Sequence, residues 1–235
     1  GLLAWGIRRQ ASGVGAAHTL MLRKRPAPAF QEVHVHMPTT IDYYLAPQSP
    51  WTYLGHARFA AIAAKAGARV RVMPVDLGGK IFPVSGGLPL GQRAPQRQAY
   101  RLVELARWRD HLQMPLNISP RHFPVPGDDA ARLIIAVDQA DGSAAAMKLA
   151  GAVLTAVWAQ ERDIASASTR AELLAECGLS AQRATDAQAL EVQATYQRNT
   201  QQAIAAQVFG SPSYVVEGEI FWGQDRLDFL QRRLL

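Results

Sequence analysis

A single cysteine stands in 235 residues, so no disulfide can form within the chain, and a reducing, cytoplasmic setting is expected. That residue, Cys177, lies in Glu172-Leu-Leu-Ala-Glu-Cys-Gly near the end of an expected helix stopped by Gly178. Its default reading is a small buried hydrophobe rather than a nucleophile. No apolar run approaches the ~20 residues that a membrane-spanning helix needs. The best stretch, Leu149 to Ala159, is short and amphipathic, so no membrane partner is expected. His34-Val-His36 has no Cys or carboxylate cluster beside it and is expected to be inert toward metal. The chain also lacks a basic face. Its net charge is +6, but Arg8, Arg9, Arg23, Lys24 and Arg25 against Glu32 supply four of those charges before residue 37. The nearly balanced remainder carries no electrostatic footprint for a nucleic acid.

What is present suits a packed core, with 49% hydrophobic residues, enough for one large domain or a small domain with an insertion. Residues 1–37 are rich in Gly, Ala, Arg and Pro without a sustained period and are expected to form a disordered N-terminal extension. Their apolar start precedes the charge, the wrong order for a secretory signal. A tail is the simplest account, upstream sequence ahead of a start at Met37 being one form of it, and an organelle transit peptide stays open as the minority reading.

Ile41 to Leu45 has the branched and aromatic content of a buried strand, followed by a turn to Pro50. From Trp51, Leu54, Ala57, Ala61 and Ile62 fall at helical offsets, which predicts a helix to Ala66. Ser49 stands at its mouth as an N-cap, with Pro50 in the first turn. Arg69 to Val75 alternates like a strand and completes a strand–helix–strand unit with a parallel crossover. Asp76 to Pro95 reads as a Gly/Pro-rich loop, and lacks the Gly-Lys-Ser/Thr spacing of a phosphate loop. From Arg97 to about Val208 the period is helical. Leu102, Leu105, Ala106 and Leu112 mark one core stripe; Ala130, Leu133, Ile134 and Val137 a second; Ala150, Val153, Leu154, Val157 and Trp158 a third. Shorter segments start at Thr169 and Ser180, and a longer one runs from Leu190 to Val208. Ser213 to Val216 and Glu219 to Trp222 flank Glu217-Gly218 as a hairpin, and a last helix carries Leu227, Leu230 and Leu234. The order implies one mixed α/β sheet with helices on both faces, interrupted by an all-helical insertion.

Three motifs sharpen this order into a resemblance. Ser49-Pro50-Trp51-Thr52-Tyr53-Leu54, Phe209-Gly210-Ser211-Pro212 and Phe221-Trp222-Gly223-Gln224-Asp225-Arg226-Leu227 resemble the motifs of 2-hydroxychromene-2-carboxylate isomerases and kappa-class glutathione transferases. Arg107-Trp108 and Leu112-Gln-Met-Pro-Leu resemble the same family's insert, so the likeness runs from about Thr40 to the end. It implies a DsbA-like thioredoxin fold. Residues 38–85 and 209–235 would form the thioredoxin-like domain and 86–208 the helical insertion.

Disulfide oxidoreductases of this architecture carry Cys-x-x-Cys where this chain has Ser49-Pro50-Trp51-Thr52, so dithiol exchange is chemically excluded there. The resemblance instead implies glutathione as cofactor, with Ser49 as the catalytic residue donating a hydrogen bond to its thiolate. Ser211 and Pro212, the latter as a cis-proline, would pair with the extended tripeptide. Gln224 and Asp225 would meet its charged ends. Arg97 would reach a carboxylate, with Lys80 and Arg101 weaker candidates of that kind. Trp51, Tyr53 and Phe82 would wall an aromatic substrate. The implied activity is a glutathione-dependent isomerase of 2-hydroxychromene-2-carboxylate-type aromatic enone acids, acting by reversible thiolate addition. A kappa-like glutathione transferase or peroxidase is one alternative, and a non-catalytic thiol-binding protein of the same fold is another. The family often forms homodimers, but nothing in the sequence fixes the oligomeric state.

Overall fold

The structure is a computed structural model that describes residues 38–235. The expected N-terminal extension and the His34/His36 pair lie outside the described residues. The elements run β1 (Thr40–Leu45), α1 (Pro50–Lys65), β2 (Arg69–Pro74), a π-helical turn (Leu77–Ile81), α2 (Phe82–Ser85) and a 3-10 turn (Leu90–Gln92). Then come α3 (Pro95–Leu112), α4 (Asp128–Asp141), α5 (Ser143–Trp158), α6 (Ala167–Glu176), α7 (Arg183–Asp186) and α8 (Leu190–Ala205). The chain closes with β3 (Ser213–Val216), β4 (Glu219–Trp222), a 3-10 turn (Gln224–Arg226) and α9 (Leu227–Leu234).

The strands form one mixed sheet in the order β2-β1-β3-β4, with β1 and β2 parallel and the other neighbours antiparallel. Strand alternation sends Ile41, Tyr43 and Leu45 to one face and Tyr44 to the other. The first face meets α1, α4, α5 and α9 in one apolar cluster that continues into α6. The second packs Tyr44, Met73 and Val215 against Ile81, Ala203 and Val208. Cys177 is buried at the end of α6, and burial raises its thiol pKa, as suits a core hydrophobe. At the hairpin, Glu217 and Gly218 both take positive φ (50° and 85°), the requirement of a tight primed turn.

Three expectations need correction. The stretch expected as a loop from Asp76 to Pro95 carries three short helical turns, because the Asp76 side chain accepts from the Gly79 N–H at 2.7 Å and caps the first. On α1 the buried side holds Tyr53, His56, Phe59 and Ala63, whereas Ala57 and Ala61 are exposed. Alanine fits either side of a helix, so its spacing misplaced the stripe. On α3 Leu105 is buried and Leu112 packs on the core as expected, but Leu102 is 40% exposed and Arg101 takes the buried position in its place.

His56 ties α1 to β1 and α5. Its Nδ1 lies 3.0 Å from the Tyr43 hydroxyl and its Nε2 2.9 Å from the Met147 carbonyl. A carbonyl only accepts, so Nε2 carries the proton and Nδ1 accepts from Tyr43. Burial lowers the His56 pKa below its usual value, partly offset by that carbonyl. The unfolded chain therefore binds a proton near pH 6.5 that the folded chain refuses, so stability falls as pH drops through that value. Unfolding free energies from urea melts measured from pH 8 to 5.5 should fall below pH 6.5, by at most about 1.4 kcal/mol per pH unit from this one group. His56→Gln should flatten that slope; an unchanged slope in the variant would assign it to other groups.

Candidate functional site

The C-terminal ends of β1 and β2, the mouth of α1 and the turns before β3 and after β4 open onto a cleft of about 1130 Å³. A typical small-ligand site measures roughly 300–1,000 Å³, so this cleft has room for a cofactor and a second molecule. Ser49 lies in its wall as the N-cap of α1, with Pro50 in the first turn. The Ser49 hydroxyl oxygen accepts from the Thr52 N–H at 3.2 Å. The hydroxyl donates to the Ser211 carbonyl at 3.3 Å, long for an O–H···O bond and therefore weakly held. The α1 N-terminus adds partial positive charge at this place, which favours an anion.

Thr52, where the second cysteine of a dithiol enzyme would stand, is fully buried and 2.8 Å from the Ser211 hydroxyl. That hydroxyl also accepts from the Ala46 N–H at 2.8 Å. Two hydroxyls thus stitch the β1–α1 turn to the turn before β3, in place of redox sulfur. The Ser211–Pro212 bond is cis, as expected. Pro212 does not offer its carbonyl to the cleft, however, because that group accepts from the Gly223 N–H at 2.9 Å. The Ser211 N–H makes no hydrogen bond among the described residues, and the Ser211 carbonyl accepts from the Ser49 hydroxyl.

Of the other expected site residues, Trp51, Phe82, Arg97, Gln224 and Asp225 all line the cleft. Gln224 is buried, and both its main-chain and side-chain oxygens accept from Arg58 on α1, so its side chain braces the turn. Asp225 pairs with Arg226. Tyr53 is a correction: it lies in the core, and its hydroxyl donates to the Pro115 carbonyl at 2.5 Å instead of facing a ligand. A helix turns Trp51 and Tyr53 about 200° apart, so both cannot face one cleft. Lys80 is exposed and lies outside the lining.

The residues that sequence reading undervalued are Arg93 and Arg101. Both line the cleft with Arg97, at a spacing of four that was legible in the sequence. Among the described residues none of the three forms an ion pair, since Glu104 and Asp225, the acids in the lining, pair with Arg107 and Arg226. Burial lowers the pKa of Arg93, and neighbouring Arg97 adds to the effect. The wall is thus cationic and apolar, suited to anions with a hydrophobic body. No metal-binding cluster occurs among the described residues, and no helix there is long and apolar enough to cross a membrane.

Comparison with known proteins agrees with this architecture. The family described as DSBA-like thioredoxin domain matches residues 40–235. A 2-hydroxychromene-2-carboxylate isomerase of Sphingobium xenophagum is 26% identical over 200 residues, covering 85% of this chain and all (100%) of the relative. Another of that name from Pseudomonas putida is 26% identical over 194 residues, covering 81% of this chain and 92% of the relative. The solved structure of a 2-hydroxychromene-2-carboxylate isomerase superposes with a TM-score of 0.70 at 24% identity, covering 83% of this chain and 94% of that one.

Proposed function

The chain belongs to the family of DSBA-like thioredoxin domains, and from that premise we propose that it is a glutathione-dependent isomerase of 2-hydroxychromene-2-carboxylate-type aromatic enone acids. The observation that carries the reading is a weakly held Ser49 hydroxyl at the mouth of α1, beside a Ser211 N–H unpaired among the described residues, with no sulfur at either end of the quartet. The curated relatives named as isomerases support the reaction type.

Ser211 would hold the tripeptide backbone through its N–H, and Asp225, Arg97 and the turn at Gln224 its charged ends. Ser49, whose hydroxyl now donates weakly to the Ser211 carbonyl, would turn its proton to a thiolate placed there, exchanging a weak hydrogen bond for a charge-assisted one, and the helix terminus would favour that anion. Glutathione, when bound, would supply the thiolate nucleophile for reversible addition to the conjugated double bond of the ring-opened acid, with net isomerisation and no thiol consumed. Trp51 and Phe82 line the space for the aromatic body. The reading carries a cytoplasmic setting with it, where glutathione is the prevailing thiol buffer.

Purified protein mixed with an aromatic enone acid should change the acid's absorbance only when glutathione is present, with the free thiol concentration constant. Depletion of the thiol would assign a kappa-like transferase, and no turnover despite glutathione binding would assign a thiol-binding protein.

A further inference from the structure

Helix α3 turns an arginine toward its buried side, where its own pattern calls for a hydrophobe. Arg101 is 9% exposed and follows the spacing of Leu105, Trp108 and Leu112. Its guanidinium carbon lies 5.1 Å from the Phe123 ring centroid and 5.6 Å from that of Trp158. Arg101 Nη2 is buried without a hydrogen-bond partner among the described residues, and so is the neighbouring Trp158 Nε1. Arg97 stands one turn before Arg101 on α3, and Arg93, in the turn ahead of the helix, acts on Arg101 as a like charge.

A desolvated cation with an orphaned donor and two like-charged neighbours is costly to keep. Aromatic faces offset part of that cost but cannot accept the in-plane N–H bonds of the guanidinium fork. Those bonds fit a planar carboxylate. The Phe123 ring flanks Arg101, and Trp51 and Phe82 elsewhere in the lining add apolar wall to the same cleft, which suits a conjugated ring better than a flexible polar tripeptide.

We propose that Arg101 is the carboxylate-docking residue of the cleft and selects a planar aromatic or conjugated acid as the second ligand. This rests on the two-ligand reading given above, with glutathione held on the Ser49 side. Burial, and then Arg93, brings the Arg101 pKa down to about 10, which leaves it charged at neutral pH.

The test is calorimetric titration of the full chain with trans-cinnamate and with neutral cinnamamide, with and without glutathione. The acid should bind about 10- to 100-fold tighter than the amide. Arg101→Met should erase that preference, keep the glutathione affinity, and unfold at an equal or higher denaturant concentration because a buried unpaired charge is gone. Equal binding of acid and amide to the native chain overturns the proposal without recourse to any variant. So does a preference that survives in Arg101→Met or Arg101→Gln, or a loss that falls on glutathione instead of cinnamate. Cinnamate binding that depends on Arg101 in a chain that ignores glutathione would keep this assignment and remove the cofactor reading. Glutathione binding with no preference for the acid would do the reverse.

Discussion

Ser49→Ala is expected to lower glutathione-dependent turnover by about 10²–10³-fold, the usual cost of removing one hydrogen bond to charge in a transition state. Glutathione affinity should change only a few-fold, because Ser211, Asp225 and the helix terminus remain in place. The hydroxyl has a second role, accepting from the Thr52 N–H as the cap of α1. Its loss should therefore cost about 1 kcal/mol of stability, or roughly 2–4 °C in Tm for a chain of this size. The two effects separate in Ser49→Gly, since glycine caps nearly as well as serine but carries no hydroxyl. That variant should melt close to the native chain and turn over as slowly as the alanine variant. Calorimetry with glutathione, thermal melts and turnover on one set of samples decide the matter. Full turnover in Ser49→Gly would remove the hydroxyl from the chemistry and leave it a cap.

The legible parts of the fold are those where chemistry allows one arrangement. Glu217-Gly218 between two branched stretches has no comfortable alternative to a tight hairpin, and Ser49-Pro50 before a helical period has none to an N-cap. The branched and aromatic content of Ile41 to Leu45 likewise marked β1 as buried, on both faces as the structure shows. Alanine-rich helices were less legible, because a methyl group is at home on either side; hence Ala57 and Ala61 point to solvent. Arg101 was undervalued for the opposite reason. An arginine in a helix is ordinarily solvated, and only the rings of Phe123 and Trp158, which lie 22 and 57 residues further along the chain, reveal its burial. Tyr53 lay in the right motif but on the wrong side of its helix. Contacts over such separations depend on how α3, the segment that follows it and α5 pack, and no local pattern carries that.

Gly55→Val should be strongly damaging while leaving every candidate ligand contact chemically intact. Gly55 lies in the first half of α1 where the Gln224–Arg226 turn crosses the helix. A Cβ there would stand 2.9 Å from Gln224 Cβ, 3.1 Å from Tyr214 Oη and 3.3 Å from the Gln224 Cα. Tyr214 is fully buried against Tyr43 and Phe59, and the Gln224 contact includes backbone, so neither neighbour can simply swing away. Arg58, one turn further along α1, donates to the Gln224 carbonyl at 3.0 Å and pins the same turn from the other side. Valine must therefore push the turn off the helix or tilt the helix itself. Overpacking of this kind costs about 3 kcal/mol at the upper end of its usual range, or roughly 6–12 °C in Tm for a chain of this size. Because the turn carries Gln224 and Asp225, glutathione affinity should fall together with stability. Gly151→Ala provides the comparison. Its Cβ would meet only the His56 ring, at 3.1 and 3.2 Å, so it should cost less stability and leave glutathione binding unchanged. A Gly55→Val chain that unfolds at the native denaturant midpoint and binds glutathione normally would show that the turn is not braced by α1. The placement of Gln224 and Asp225 in the cofactor site would then lose its structural basis.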